Sequence, residues 1–243
     1  MSAPALEVMN IGRRFGGLVA LRDVSFTVRE GEVMGLIGPN GAGKSTLFEI
    51  VSGNLPPTNG TVRYFGEDCT YMPVHQRRRA GLCRTFQKVR LFASMTVREN
   101  IAVAARQSAG NDWRSAVDQV LDRLRLTGQS ERTPAEITLA DRKKVEIGRA
   151  IVGHCRVLLL DESLSGLTHD EAHELVGEIM ALSRTNGITV VVVEHVLSVL
   201  AAMVERLVVL HNATVIADGT PSQIANDPHV IEAYLGTRKS ALR

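Results

Sequence analysis

One short stretch of the chain joins glycines to a lysine and two hydroxyl side chains at fixed spacing. It reads Gly38-Pro39-Asn40-Gly41-Ala42-Gly43-Lys44-Ser45-Thr46 and fills every fixed position of the pattern G-x-x-x-x-G-K-[ST]. Glycines let the backbone turn sharply, so that successive N–H groups can face phosphate oxygens. The lysine can reach the β- and γ-phosphates, and the serine hydroxyl can bind Mg²⁺. These residues predict a loop that binds a nucleoside triphosphate.

The segments on either side of this loop fit that prediction. Residues 33–37 are continuously apolar and predict a buried strand, whereas residues 47–51 continue as a helix. A loop that runs from a strand into a helix gains the unpaired N–H donors and the positive dipole end of that helix. This order favours a phosphate site over a glycine-rich turn that binds nothing.

Two adjacent carboxylates form a second candidate group. Asp161 and Glu162 follow the apolar residues 157–160, which predict a buried strand. Open α/β sheets bind their ligands at the carboxyl ends of the strands. In phosphoryl transfer one carboxylate commonly holds Mg²⁺ while another group orients the attacking water. We therefore expect Asp161 to hold the metal and Glu162 to orient the water.

Two single residues can complete such a site. His195 follows the apolar strand predicted over residues 189–193, so its side chain can project toward a γ-phosphate. Gln87 lies where the β-rich first part of the chain gives way to a helical pattern, and its amide can contact Mg²⁺ or water. Neither residue alone would indicate a function; each becomes a candidate because the phosphate loop and the acidic pair are also present.

Composition argues against several other classes of protein. The 243 residues carry 28 Lys and Arg against 26 Asp and Glu, so the net charge gives no reason to expect nucleic acid as the main partner. The basic run at residues 76–79 is interpreted as a solvated face. The first residues lack the pattern of a secretory signal, and the apolar runs fall far short of the roughly 20 residues of a membrane span. Three cysteines without metal-site spacing, Cys69, Cys83 and Cys155, fit a reducing cytosol.

The periodicity of the apolar residues divides the chain into three segments, and the fold class expected is α/β. Residues 1–95 predict an antiparallel β part and the first half of a nucleotide-binding core. Residues 96–154 have helical spacing and predict an inserted α-helical subdomain. Residues 155–243 complete the core with apolar strands, a hairpin and a final helix.

Together these residues resemble the ATP-binding cassette family over nearly the whole chain. Phe15 matches the aromatic residue that stacks on adenine, residues 165–168 match the D-loop, and His195 matches the switch histidine. The resemblance implies a P-loop NTPase (RecA-like) core that uses ATP and Mg²⁺. Its implied catalytic residues are Glu162, His195 and Gln87, and its implied metal ligands are Ser45, Gln87 and Asp161. Its implied ATP-binding residues are Phe15, Gly38, Asn40, Gly41, Ala42, Gly43, Lys44, Ser45 and Thr46.

A narrower similarity concerns three strings at residues 81–92, 95–100 and 227–236, which resemble the ATPase subunits of branched-chain amino-acid importers. That similarity implies an enzyme whose ATP hydrolysis energises a membrane permease for branched-chain or related amino acids. The implied partners are permease subunits, a second ATPase subunit and, indirectly, a solute-binding protein. The implied location is cytoplasmic, on the inner face of the membrane through the permease.

The chain departs from the family at the signature motif, which is normally Leu-Ser-Gly-Gly-Gln. The corresponding residues are Ile137-Thr138-Leu139-Ala140-Asp141. In the family the signature of one subunit packs on the γ-phosphate held by the other subunit. Ala140 adds a Cβ where close approach is wanted, and Asp141 adds a charge that repels phosphate. The alternative is that Asp141 serves only as the N-cap of the following helix.

Two lesser departures lie in the neighbouring motifs, because Ser163 replaces the usual proline after the acidic pair and Thr168 replaces the usual acid of the D-loop. Since the signature serves the opposite site, a heterodimer with one competent and one weakened site is a hypothesis. A weakly hydrolysing, regulatory ATP-binding subunit is a second one. A soluble cassette that acts on nucleic acid or ribosomes is a third, and a second cassette or a long basic arm would favour it.

Overall fold

The computed structural model describes residues 4–85, 90–194, 200 and 203–240. Its strands are β1 (Pro4–Phe15), β2 (Leu18–Arg29), β3 (Val33–Ile37), β4 (Asn59–Tyr64), β5 (Glu67–Asp68), β6 (Leu82–Arg84), β7 (Val157–Asp161), β8 (Thr189–Val193), β9 (Arg206–His211) and β10 (Thr214–Gly219). Its α-helices are α1 (Lys44–Ser52), α2 (Val74–Arg79), α3 (Val97–Ser108), α4 (Trp113–Arg123), α5 (Leu139–Ile151), α6 (His169–Asn186), α7 (Pro221–Ala225) and α8 (Pro228–Ser240). Short 3₁₀ helices lie at Gly110–Asp112, Thr127–Gln129 and Pro134–Glu136.

The chain forms two compact units, one built from the residues up to Arg77 and from Thr189 onward, the other from Arg78–Ile188. Among the helices in the described ranges, none is long and apolar enough to cross a membrane.

The first unit contains the expected antiparallel sheet, with the strand order β2-β1-β4-β5. Strand β2 alternates between buried apolar and exposed polar residues, with Leu21, Val24, Phe26 and Val28 turned inward. This alternation is typical of a sheet that has one face on the core and the other in solvent. The antiparallel β part predicted ahead of the phosphate loop is therefore confirmed.

The same unit holds a second set of strands in the order β10-β9-β3-β8. Strand β3 pairs in parallel with β8, where Val33 lies opposite Val190, and with β9, where Ile37 lies opposite Val209. Every residue of β3 and β8 is buried, which explains their continuous apolar sequences. Strands β9 and β10 form the predicted hairpin. The parallel register brings the carboxyl ends of β3 and β9 together, and the phosphate loop starts there.

The second unit combines two parallel strands with helices. Strands β6 and β7 pair so that Arg84 lies opposite Leu159. Helix α5 packs closely on α3 and α4, because a Cβ added at Gly148 would lie 3.0 Å from Val120 Cγ1 and 3.2 Å from Ile101 Cδ1. The helices predicted between residues 96 and 154 are present as α3, α4 and α5. The division of the chain at residues 95 and 154 stays a prediction.

The basic run at residues 76–79 is not simply the solvated face that its sequence predicts. The side chain of Arg77 is only 2% exposed. Its guanidinium donates hydrogen bonds of 2.6–2.9 Å to four backbone carbonyls, those of Ile50, Val51, Thr70 and Met72. Arg78 donates to the carbonyls of Val152 and His154, just after α5. Two of the arginines therefore anchor chain segments, whereas Gln76 and Arg79 are exposed.

Replacing Arg77 by methionine should lower the free energy of unfolding by about 3 kcal/mol, because buried carbonyls would lose a charged donor. The matched control is Arg79→Met. Arg79 lies two residues further along the same helix and is exposed, so this change should alter stability by under about 0.5 kcal/mol. Urea denaturation followed by circular dichroism measures both. Equal midpoints for the two variants would contradict an anchoring role for Arg77.

Candidate nucleotide-binding site

The loop between β3 and α1 has a backbone shape that requires glycine at two positions. Gly38 has a φ of 152° and Gly43 a φ of 108°. A Cβ at Gly38 would lie 2.1 Å from the carbonyl oxygen of Leu210, and one at Gly43 would lie 2.6 Å from that of Ala20. Both obstacles are backbone atoms, so a side chain cannot be accommodated without a shift of the strand end or the loop. The backbone at Leu210 and Ala20 therefore fixes the course of the loop.

The start of α1 is built to receive an anion. Gly43 is the N-cap, and because glycine has no side chain it makes no side-chain capping hydrogen bond. Within the loop the Ala42 N–H donates to the Pro39 carbonyl at 3.2 Å. The N–H donors of the first turn and the positive dipole end of a helix are the features that bind phosphate at helix N-termini. A nucleotide phosphate group therefore fits the residues present.

Lys44 places a cation at the same loop. Its side chain is 6% exposed, and its ammonium donates to the Gly38 carbonyl at 2.6 Å and to the Pro39 carbonyl at 3.0 Å. Around it, the predicted loop residues differ in exposure: Asn40, Gly41 and Ser45 are exposed, Thr46 is half-buried and Ala42 is buried. The exposed hydroxyl of Ser45 is accessible to a metal ion, as its predicted role requires.

Phe15, the predicted adenine-stacking residue, ends strand β1 in the same unit. Its side chain is 45% exposed, which is unusual for a phenylalanine, and the Arg13 guanidinium lies 4.6 Å from the ring centroid. A cation over an aromatic face is a favourable contact that also orients the ring. Phe15 therefore presents an exposed aromatic surface on which a base can stack.

In the second unit, Asp161 ends the fully buried strand β7, as predicted. Its Oδ2 accepts a hydrogen bond from Arg84 Nη2 at 2.9 Å, and both side chains are only 9% exposed. The ion pair compensates for burying the carboxylate and holds it in one orientation. Sequence reasoning missed Arg84, since the two residues are 77 positions apart and meet only because β6 pairs with β7.

Glu162 adopts a left-handed backbone conformation, with a φ of 50°, directly after the strand. Such a conformation is uncommon for a residue with a side chain and is frequent at functional sites. Ser163, which stands in place of the family's proline, is buried, and its hydroxyl lies 3.2 Å from that of Thr85. Thr85 also accepts from the Asp161 N–H at 3.3 Å. The serine is thus part of a hydrogen-bond network that supports the acidic pair.

Gln87 and His195, two of the predicted catalytic residues, lie outside the described residues. Their roles stay predictions.

The signature segment shows which residue caps α5. Thr138 is the N-cap, and its hydroxyl accepts from the Asp141 N–H at 3.1 Å. The interpretation of Asp141 as the N-cap is therefore wrong, because the chain enters the helix three residues earlier than that interpretation requires. Asp141 still places an acid in the first turn.

The neighbouring signature residues differ in orientation. Ala140 is buried, so its Cβ is turned into the unit rather than toward solvent. Leu139 is 41% exposed, and its Cδ2 lies 3.4 Å from where a Cβ of Gly166 in the D-loop would be. The exposed surface of the signature is therefore formed by Thr138 and Leu139, and Ala140 does not contribute a protruding methyl group.

Thr168, the atypical last residue of the D-loop, is the N-cap of α6. It forms a capping box with Glu171, whose carboxylate accepts from the Thr168 N–H and hydroxyl, both at 2.9 Å. Both hydrogen bonds lower the pKa of the Glu171 carboxyl, and the bond from the Thr168 backbone N–H has the larger effect. Asp and Thr are both good N-caps, so the substitution preserves the start of the helix.

Comparison with protein-family models finds one described as ABC transporter over residues 21–165, a span that contains the phosphate loop, Asp161 and Glu162. The chain belongs to the ABC transporter family. A second model, described as branched-chain amino acid ATP-binding cassette transporter, matches residues 214–240.

Relatives of this ABC transporter chain include two proteins named high-affinity branched-chain amino acid transport ATP-binding protein. BraF of Pseudomonas aeruginosa and LivG of Escherichia coli are each 36% identical, over 97% of this chain and 99% of the relative. Among solved structures, MJ1267, an ATP-binding cassette of an ABC transporter, matches with a TM-score of 0.89 and 29% identity over 95% of this chain and 98% of that one. Its ADP conformation matches with a TM-score of 0.87. The predicted fold class, an α/β P-loop NTPase with an antiparallel β part and inserted helices, is confirmed.

Alanine at Gly38 should disrupt the loop more than alanine at Gly41. Both positions have positive φ, but only the Cβ at Gly38 meets backbone, whereas the Cβ at Gly41 meets nothing within 4 Å. We expect Gly38→Ala to lose about 2 kcal/mol more of unfolding free energy than Gly41→Ala, measured by urea denaturation. Equal losses would show that backbone strain, not the contact with Leu210, sets the cost.

Proposed function

We propose that this chain binds ATP with Mg²⁺, hydrolyses the ATP and thereby energises a membrane permease that imports branched-chain or related amino acids. The observation that carries the proposal is the phosphate loop, whose uncapped helix start and buried Lys44 ammonium form a cradle for phosphate. The N–H groups and the positive dipole end at the start of a helix favour an anion at that position. The names of the relatives BraF and LivG support the amino-acid class.

The loop residues bind and orient the triphosphate. The N–H groups at the start of α1 and the Lys44 ammonium hold the β- and γ-phosphates, and the Ser45 hydroxyl is a ligand of Mg²⁺. Phe15 stacks on the adenine through its exposed face. Asn40, Gly41, Ala42 and Thr46 complete the loop around the phosphates. Because the loop is already shaped by its contacts with Ala20 and Leu210, little ordering is needed on binding.

The acidic pair supplies the remaining groups. Asp161 uses Oδ2 for Arg84, which leaves Oδ1 available for the metal ion. Asp161 and Ser45 would hold Mg²⁺, which would supply positive charge against the charge that develops during phosphoryl transfer. Glu162 accepts a proton from the attacking water and orients it, and its left-handed backbone turns it away from the course of β7. Gln87 contacts metal or water, and His195 contacts the γ-phosphate.

The proposed assembly places the chain on the cytoplasmic face of a membrane, docked on permease subunits. A second ATPase subunit supplies the signature for the γ-phosphate held here, and a solute-binding protein delivers the amino acid to the permease. This location and these partners follow from the family resemblance.

A second candidate function, an ATP-binding subunit with weak turnover in an asymmetric heterodimer, is favoured by one observation. The first turn of α5 is capped by Thr138 and carries Asp141. The cap uses one of the N–H donors that would otherwise face a phosphate. The carboxylate of Asp141 offsets the positive dipole end of the helix, which would otherwise attract a phosphate. The Thr138 hydroxyl still has its proton to donate. The weakness of the second site therefore depends mainly on the charge of Asp141.

ATP binding and hydrolysis can be separated by two substitutions. Lys44→Ala should weaken ATP binding at least tenfold, because the phosphates lose their charged donor, whereas Glu162→Gln should keep binding and lower turnover by about a hundredfold or more. Equilibrium binding of ATP and phosphate release measure the two effects. The control is Glu205→Gln, an exposed glutamate, which should match the unaltered chain. Wild-type turnover in Glu162→Gln would rule out the proposed role.

A third substitution decides between the two candidate functions. If turnover is limited by the charge at α5, Asp141→Gln should raise the ATP turnover of the purified chain by about tenfold, equivalent to about 1.4 kcal/mol of transition-state stabilisation. Asp170→Asn, an exposed acid in the first turn of α6, is the matched control. Unchanged turnover in Asp141→Gln would remove the observation that favours the weakly hydrolysing subunit.

A further inference from the structure

The turn that follows strand β7 is held by a side chain from helix α5. Lys143, in the second turn of α5, is only 6% exposed, and its ammonium donates a hydrogen bond of 3.5 Å to the Glu162 carbonyl. The same carbonyl accepts from the Ser165 N–H at 3.3 Å, which closes the turn between the acidic pair and the D-loop. All three residues belong to the second compact unit. The proposed ATP chemistry uses Glu162 but assigns no role to Lys143.

Glu162 needs such support because its backbone conformation is one that side chains disfavour. Its φ of 50° lies in the left-handed region, where the Cβ comes close to the following carbonyl oxygen. Strained residues of this kind persist where the surrounding structure holds them. The buried ammonium of Lys143 is such a restraint, since a charged donor makes a stronger hydrogen bond than a neutral one. The contact therefore stabilises the backbone conformation that directs the Glu162 side chain.

Helix α5 fixes the position of the Lys143 ammonium. The next residue, Lys144, forms an ion pair of 2.8 Å with Glu178 on α6, and both of these side chains are only 5% exposed. Val145 and Ile147 are fully buried on the same helix. Packing and ion pairing thus hold this part of α5 in place, and they set the point from which Lys143 extends.

We propose that Lys143 is a positioning residue that holds Glu162 in the conformation that orients the attacking water. The proposal rests on the proposed role of Glu162 in ATP hydrolysis. Helix α5 begins within the signature segment, residues 137–141, so Lys143 also connects the segment proposed to serve the opposite site with the carboxylate that serves this one. Because Lys143 acts through Glu162, its loss should slow the chemical step and leave the affinity for ATP unchanged.

The main test is Lys143→Met, which removes the ammonium and keeps a side chain of similar length. The kcat for ATP hydrolysis should fall about tenfold, the effect of one lost charged hydrogen bond, while the Kd for ATP stays within about twofold of the unaltered chain. Lys143→Arg should restore kcat to within about threefold, because a guanidinium can donate to the same carbonyl. An unchanged kcat in Lys143→Met, or a kcat in Lys143→Arg as low as in Lys143→Met, would overturn the proposal.

A double substitution tests whether Lys143 acts through Glu162. In the Glu162→Gln background, Lys143→Met should lower the remaining turnover by less than about twofold, because changes that remove the same function are not additive. A further loss of about tenfold there would mean that the lysine acts elsewhere, and the proposal would fail.

The matched control removes the neighbouring buried cation together with its partner. Lys144→Met combined with Glu178→Met leaves no unpaired charge of this ion pair and should keep kcat within about twofold of the unaltered chain. If this control lost as much turnover as Lys143→Met, the effect would belong to the packing of α5 and not to the contact with Glu162.

Nuclear magnetic resonance gives a readout on the unaltered chain. The ¹⁵N-labelled ammonium of Lys143, identified by its loss in Lys143→Arg, should exchange its hydrogens much more slowly than free lysine, because it is buried and hydrogen-bonded. Exchange as fast as that of free lysine would contradict the proposal even if Lys143→Met failed to fold. If the unaltered chain hydrolyses no ATP, the proposed function fails, whereas turnover that Lys143→Met leaves unchanged overturns only the role of Lys143.

Discussion

The lack of space beside Gly38 is the constraint on which the phosphate loop depends. Because β3 and β9 run in parallel register, the Leu210 carbonyl comes to lie where any side chain at Gly38 would be, at 2.1 Å from an ideal Cβ. The chain must turn there, and the turn returns the Gly38 carbonyl to the Lys44 ammonium. The sheet register, the glycine and the position of the lysine are therefore parts of one packing arrangement.

Buried cations are used in a consistent way in both units. Lys44 and Arg77 donate to backbone carbonyls, and Arg84 donates to the carboxylate of Asp161. In each case a charge that would be costly to bury is compensated by acceptors fixed in the main chain or at a strand end. These hydrogen bonds also hold the acceptors in place. The acceptors belong to the phosphate loop, to the end of α1 and to the carboxylate of Asp161, which is proposed to hold a metal ion.

The departures from the family pattern keep local structure intact. Ser163 joins Thr85 in a buried hydrogen bond, Thr168 caps α6, and Thr138 caps α5. The sequence could place Asp141 near a helix start, but it could not identify the cap, because capping depends on the backbone angles of the residue that enters the helix. What remains of the signature departure is therefore the charge of Asp141 and the exposed side chain of Leu139.

The sequence by itself determined the phosphate loop, the apolar strands and the hairpin, since glycine spacing and hydrophobic period are properties of neighbouring residues. Only the tertiary structure decided that Arg77 is buried and that Arg84 pairs with Asp161. These contacts join residues far apart in the chain, and they exist because the fold brings β6 beside β7 and brings α2 to the end of α1. A short segment of sequence does not contain both partners of such a contact, so the burial and the pairing become known only from the three-dimensional fold.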